Sequence, residues 1–297
     1  MAAQSTLETL NTVLLILSFV AGCMVGSFLN VCIYRLPRNE SVVRPRSRCP
    51  KCGNPIAWYD NIPIVSWLAL GAKCRYCAET ISWQYPLVEA ITGVLFCGVY
   101  WRFGMTLASP VYMLLVAGLV LVTFVDLADW TIPDEVTLPG IPLGLACGVV
   151  GMFYAASGFL VHDVFDALIG AALGGGILYL LDKLTVLVAK KRGMGFGDVK
   201  LLTMLGAFMG WKSVLLIIMI ASLLGSVVGV TLLVVRKRRE AGEEAATGNA
   251  PSGGHYLPFG PYLALAGLLY LYFGEWMLNT YANFLRVPEP PATLPLL

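Results

Sequence analysis

Apolar runs, most of them close to the twenty or so residues that an α-helix needs to cross about 30 Å of hydrocarbon, recur along most of the chain between short polar stretches. They fall at Asn11 to Ile33, Leu87 to Tyr100, Val111 to Val125, Leu138 to Ala156, Leu168 to Ala189, Lys200 to Gly210, Val214 to Val235 and Leu257 to Leu278. The pattern predicts an all-α fold, a polytopic membrane helix bundle of about eight spans. The second, third and sixth runs are short, so tilt or burial against neighbours must complete them. No convincing internal repeat is visible.

Charge orients the bundle. Nothing before Leu10 is Lys or Arg, whereas Arg35, Arg38, Arg44, Arg46, Arg48 and Lys51 follow the first run, so Val20-Ala21-Gly22-Cys23 is read as part of a span and not as a lipoprotein cleavage box. The Arg cluster, Lys190-Lys191-Arg192 and Arg236-Lys237-Arg238-Arg239 fall on one face, the cytoplasmic one by the positive-inside rule. The loop from Asp126 to Thr137 belongs to that face yet carries no Lys or Arg, and it is acidic. Overall 58% of residues are hydrophobic and 13% charged, which places the chain in a lipid bilayer. There is no basic patch for nucleic acid. Glu240 to Gly254 has the small, polar composition of a mobile linker.

Of eight cysteines, Cys23, Cys32, Cys97 and Cys147 lie in apolar segments and read as packing. The others form Cys49-Pro50-Lys51-Cys52 and Cys74-Arg75-Tyr76-Cys77, two C-x-x-C pairs with zinc-ribbon spacing in a polar loop. Two such turns supply four thiolates in tetrahedral array, and Gly53 after the second Cys permits the tight backbone. Two metal-free dithiols or a redox pair are the alternatives. Between the pairs, Trp58, Tyr59, Ile62, Ile64, Val65, Trp67 and Leu68 are expected to pack over the metal, the membrane surface being their other destination. So small a loop cannot order itself by burial, and the metal is expected to supply much of its folding energy.

Carboxylates beside hydrocarbon cost several kcal/mol, so each one that adjoins a span is a functional candidate. Asp126 ends the third run, and Asp198 follows Gly195-Phe196-Gly197 just before the sixth. Two carboxylates brought together from separate helices share a proton, which is the arrangement of an aspartic protease dyad. Gly195 and Gly197 suit close backbone approach or positive φ where a substrate strand passes. As simple boundary residues, either aspartate would be an N-cap or a solvated helix end. Asp129, Asp134, Asp166 and Asp182 compete. Asp134 reads as a cap after Pro133, and Asp182 as an intramembrane partner of Lys183.

Together these motifs resemble the type IV prepilin peptidase family, from about Gly26 to Pro261. The resemblance is carried by Gly26-Ser27-Phe28-Leu29-Asn30-Val31, Tyr34-Arg35-Leu36-Pro37, both cysteine pairs, Asn61-Ile62-Pro63, Ser66-Trp67 and Tyr85-Pro86-Leu87-Val88-Glu89. It continues through Asp126 with Ile132-Pro133-Asp134, Met194-Gly195-Phe196-Gly197-Asp198-Val199-Lys200-Leu201 and Pro258-Phe259-Gly260-Pro261. Gln84 stands where many relatives carry a basic residue.

The resemblance implies a membrane aspartic endopeptidase with Asp126 and Asp198 as its catalytic pair. Its substrates would be the basic leaders of type IV prepilins and secretion pseudopilins, cleaved after a glycine at the cytoplasmic face of the bacterial inner membrane. It further implies structural Zn2+ on Cys49, Cys52, Cys74 and Cys77, and methylation of the new N-terminus with S-adenosylmethionine. A basic leader suits the acidic loop from Asp126 to Glu135, with Glu79 and Glu89 adding negative charge, while the pilin's apolar helix packs in the bilayer. The expected organisation is a first span at 11–33, a tetracysteine loop at 34–86, a membrane catalytic core at 87–235, a linker at 236–256 and a last span at 257–278. Two other classes remain open: a transporter using Asp126, Asp182 and Asp198 as an ion path, and a non-catalytic scaffold docking through the knuckle.

Overall fold

Backbone N–H and C=O groups in hydrocarbon find no water, so each apolar segment must satisfy them internally, and all eight are helical. The structure, a computed structural model, describes residues 2–190, 195–247 and 258–285. Its helices are α1 (Ala2–Arg35), α2 (Val65–Ala69), α3 (Gln84–Phe103), α4 (Ala108–Asp129), α5 (Asp134–Phe153), α6 (Val164–Ala189), α7 (Phe196–Met209), α8 (Trp211–Thr247) and α9 (Gly260–Leu285). Among the described residues there is no strand, only two isolated β-bridges.

The eight longer helices correspond one for one to the eight apolar runs, with α2 an addition inside the tetracysteine loop. Five segments have both the length and the hydropathy of a crossing: Gln4–Arg38, Ala108–Asp129, Asp134–Phe153, Val164–Val188 and Trp211–Val235. α3 and α9, which carry Tyr, Trp and one Glu each, are not among them, and α7 has 14 residues, too few to cross alone. α3 and α4 run longer than hydropathy suggested because their ends carry Gln84, Asp126 and Asp129, which an apolar window trims. α8 continues to Thr247, into the stretch expected as linker. Lys191, Arg192, Met194, Leu257 and the rest of that linker lie outside the described residues.

Lipid offers helices little hydrophobic reason to associate, so close contact has to come from small residues. Gly22 and Gly26 set α1 directly on α3, where a Cβ at either would stand 2.7 Å from the Cα of Gly93 or Glu89. Gly170 of α6 and Gly206 of α7 meet backbone to backbone, and Gly144 of α5 lies on Ala207. α7 is consequently enclosed by α5, α6, α8 and α9 and buried along nearly its whole length. α4 is the other deeply buried helix, held by α1, α3 and α9.

The connections sort to two ends of the bundle. At one end the α3–α4 and α5–α6 links pack together: Leu160 N donates to Tyr112 Oη at 2.7 Å, and Gly158 sits against Thr106. Asp166 belongs to this end, its Oδ1 accepting from the first N–H of α8 at Trp211. At the other end lie the tetracysteine loop, the α4–α5 link and the starts of α7 and α9. Three of the competing aspartates thereby acquire places. Asp129 is exposed, Asp166 serves α8, and Asp182 does not meet Lys183, whose Nζ lies over the Tyr179 ring instead. The Oδ1 of Asp182 is buried in α6 without a hydrogen-bond partner.

Candidate active site and metal centre

α4 ends in a left-handed residue, Trp130 at φ 58°, whose N–H closes back onto Asp126 O at 3.1 Å. Three residues later Pro133, extended at ψ 126°, starts α5. This tight corner leaves Asp126 one turn inside its helix and 5% exposed. Asp198 occupies the third position of α7, after Gly195, Phe196 and Gly197, and is 7% exposed. An acid there faces the positive end of the helix dipole.

Ile132 joins the two sites. A Cβ on Gly197 would come 2.8 Å from the Ile132 Cβ, and one on Gly260 would come 3.1 Å from its Cδ1. The corner after α4 is thus seated between the starts of α7 and α9, and the Asp126 carboxylate acts electrostatically on Asp198. Gly260 also lies against the Asp126 carboxylate, whose Oδ2 is buried with no hydrogen-bond partner. Neither Gly195 nor Gly197 adopts positive φ. Gly197 provides room for Ile132, and Gly195 lies beside the Asp198 carboxylate, a Cβ there falling 3.5 Å from Oδ2.

Asp134 does not cap α5 through its side chain as the sequence suggested; it pairs with Lys200 of α7, whose Nζ also sits 5.2 Å from the Phe196 ring centroid. That pair ties the start of α5 to the start of α7. Lys200, Ile132 and Gly260, placed around the two aspartates, carried no role in the sequence reading; all three fall within its motifs, but steric seating leaves no pattern along the chain. By the chemistry that the family resemblance implies, Gly260→Ala is expected to cut peptide cleavage about 10²-fold with the protein still folded, because a Cβ 2.5 Å from Asp126 Oδ2 must displace that carboxylate. Initial cleavage rates check it.

In the loop, Cys49, Cys52, Cys74 and Cys77 converge, all four Sγ atoms within 4.8 Å of one another. A tetrahedral zinc shell with Zn–S of about 2.3 Å requires S···S separations of about 3.8 Å, and Cys49 and Cys77 are 3.8 Å apart. The donor set fits zinc. The Cys74 sulfur receives backbone N–H groups from Cys77 and then Tyr76, which brings its thiol down to about 7.

The structure shows a repeat that the sequence conceals. Cys49 N donates to Asn54 O and Gly53 N to Cys49 O; twenty-five residues on, Cys74 N donates to Glu79 O and Ala78 N to Cys74 O. The β-bridges Arg48 with Pro55 and Lys73 with Thr80 follow the same offset. The left-handed position is Gly53 (φ 72°) in one turn and Ala78 (φ 55°) in the other. Ala78→Gly should therefore relieve strain by about 0.5–1 kcal/mol after glycine's larger entropy loss. The expected result is roughly two- to fivefold tighter zinc retention against a competing chelator.

Most apolar side chains between the knuckles do not pack over the metal. Trp58 is 82% exposed, and Tyr59, Ile62, Val65 and Leu68 are exposed as well; Trp67 is tied in, its Nε1 donating to Ile81 O at 3.1 Å. A loop of this size has too few layers to cover them. Asp60 and Arg75 form a two-bond ion pair at 2.8 and 2.6 Å that fastens the first half of the loop to the second knuckle.

Known proteins resemble the chain along nearly its whole length. Residues 20–103 match the bacterial peptidase A24 N-terminal domain and residues 113–230 the type IV leader peptidase family. A prepilin leader peptidase/N-methyltransferase of Myxococcus xanthus is 38% identical, over 87% of this chain and 90% of its own length. Proteins of the same name from Pseudomonas aeruginosa (38% identical, 90% and 93% covered) and Stutzerimonas stutzeri (37%, 91% and 94%) are similar to the chain as well. No solved structure matches. Two matched domains in order, with identity of this level across some nine-tenths of each chain, carry one conclusion: the chain belongs to the type IV leader peptidase family.

Proposed function

We propose that this membrane protein is an aspartic endopeptidase that removes the basic leader of type IV prepilins and pseudopilins after a glycine, at the cytoplasmic face of the bacterial inner membrane. It then methylates the new N-terminal amine. The observation that carries the cleavage reading is the pair of buried carboxylates, Asp126 and Asp198, delivered by different helices to the end of the bundle that bears the tetracysteine loop.

The chemistry follows from the pair. One carboxylate, ionised, takes a proton from water as the oxygen attacks the scissile carbonyl; the other, protonated, hydrogen-bonds the carbonyl oxygen as it gains charge. Collapse of the tetrahedral intermediate breaks the C–N bond, and a proton passes to the leaving amine. The unpartnered Oδ2 of Asp126 is an acceptor suited to hold that water or the shared proton. Asp129 and Glu135, exposed beside the dyad, attract a basic leader, whereas Asp134 is engaged by Lys200.

Zinc on the four cysteines would order the loop and take no part in cleavage. S-adenosylmethionine, when bound, supplies the methyl group. The test is a purified prepilin incubated with the solubilised protein and weighed by mass spectrometry. Loss of the leader, with a further gain of one methyl group only when S-adenosylmethionine is present, is expected; an intact prepilin beside a folded enzyme would overturn the reading.

A further inference from the structure

A cavity of about 560 Å3 opens between the loop ends of α1 and α3 and the inner side of the tetracysteine loop. Its size lies in the range of pockets for nucleoside-sized ligands. Ser27, Asn30 and Tyr34 line it from one face of α1, following the helical i, i+3, i+7 spacing, and Tyr85 and Glu89 line it one turn apart on α3. Trp67 lines it from the loop side.

The charges around this cavity are unequal in their partners. Arg35 spends both terminal nitrogens on Ser41 O and Pro45 O, Arg75 is held by Asp60, and Lys51 reaches Glu79, while Arg48 and Glu40, which also line the cavity, are exposed to solvent. Glu89 is 7% exposed and enters no ion pair among the described residues. Its Oε2 accepts the Ile64 N–H at 2.7 Å, and Ser27 is its other partner. Ile64 is itself unusual, a β-branched residue at φ 62°, so this carboxylate holds a strained turn of the loop in place. A buried carboxylate with neutral partners and a roomy, aromatic-walled cavity in front of it is matched by a cation carrying a flat ring.

We propose that this cavity binds the methyl donor, an adenosyl sulfonium, with Glu89 facing its cationic end and Tyr34, Tyr85 and Trp67 enclosing the base. The inference rests on the methyl-transfer half of the proposed function. Asn30, whose Nδ2 donates to Tyr85 O at 3.1 Å, fixes the two helices that form the walls.

The test is equilibrium binding of S-adenosylmethionine to the detergent-solubilised full chain by calorimetry, for wild type, Glu89→Gln and Val31→Trp. Gln keeps the acceptor for Ile64 N–H and removes the charge; Trp at position 31, on the cavity-facing row of α1, fills the space. Zinc content and thermal unfolding report the fold of each variant. Glu89→Gln should weaken binding on the order of tenfold or more, and Val31→Trp should abolish it. Equal binding by all three, or absence of binding to wild type, overturns the proposal. Prepilin cleavage by the same wild-type preparation separates the two readings: cleavage without donor binding defeats only this one, and donor binding without cleavage defeats only the peptidase.

Discussion

Asp126→Asn and Asp198→Asn are each expected to lower prepilin cleavage by at least about 10³-fold while leaving a folded, membrane-inserted protein. Asn preserves volume and removes one ionisable group, so it tests chemistry more than packing. In the proposed mechanism the carboxylates act as a unit: one must be ionised to activate water and the other protonated to assist the carbonyl, and neither role survives alone. The double variant should therefore be little worse than either single one. Initial rates by mass spectrometry, with circular dichroism as the fold control, decide the matter. Wild-type cleavage by either variant removes that aspartate from the chemistry and brings the scaffold reading forward.

The second large effect concerns the metal. Any one of Cys49→Ser, Cys52→Ser, Cys74→Ser or Cys77→Ser is expected to cost the bound zinc and disorder the loop between α1 and α3. Structural zinc sites contribute about 10–16 kcal/mol of apparent binding energy in zinc-finger peptides. Here apolar burial adds little, since Trp58, Tyr59, Ile62, Val65 and Leu68 are exposed and the remaining anchors are a few polar contacts such as Asp60 with Arg75. The helices around the dyad are packed by contacts of α7 with α5, α6, α8 and α9 that involve no part of the loop. Overall helicity should therefore change little, and methyl transfer should suffer more than cleavage, because the loop forms one wall of the proposed donor cavity. Elemental analysis of the purified variants gives the first answer, and full zinc occupancy in all four would refute the knuckle.

The sequence by itself determined the helical class, the membrane environment, which four cysteines cluster and that Asp126 and Asp198 come to the same end of the bundle. These are local or one-dimensional properties. Solvent partition selects apolar runs of a given length, lipid forces them to be helical, and the C-x-x-C spacing aims two sulfurs from one turn. Tertiary structure alone decided the rest. Asp134 found Lys200, Asp166 found the start of α8, Ile132 came to lie between Gly197 and Gly260, and Glu89 came under Ile64. The knuckle repeat was equally hidden, because it lies in backbone hydrogen bonds and left-handed positions that Gly53 and Ala78 fill with different residues. Such partners are far apart in the chain and leave no period in it. In a bilayer, hydrophobicity says that a helix is inserted and nothing about its neighbour; glycine contacts and side-chain shape choose that, and they act only when the helices meet.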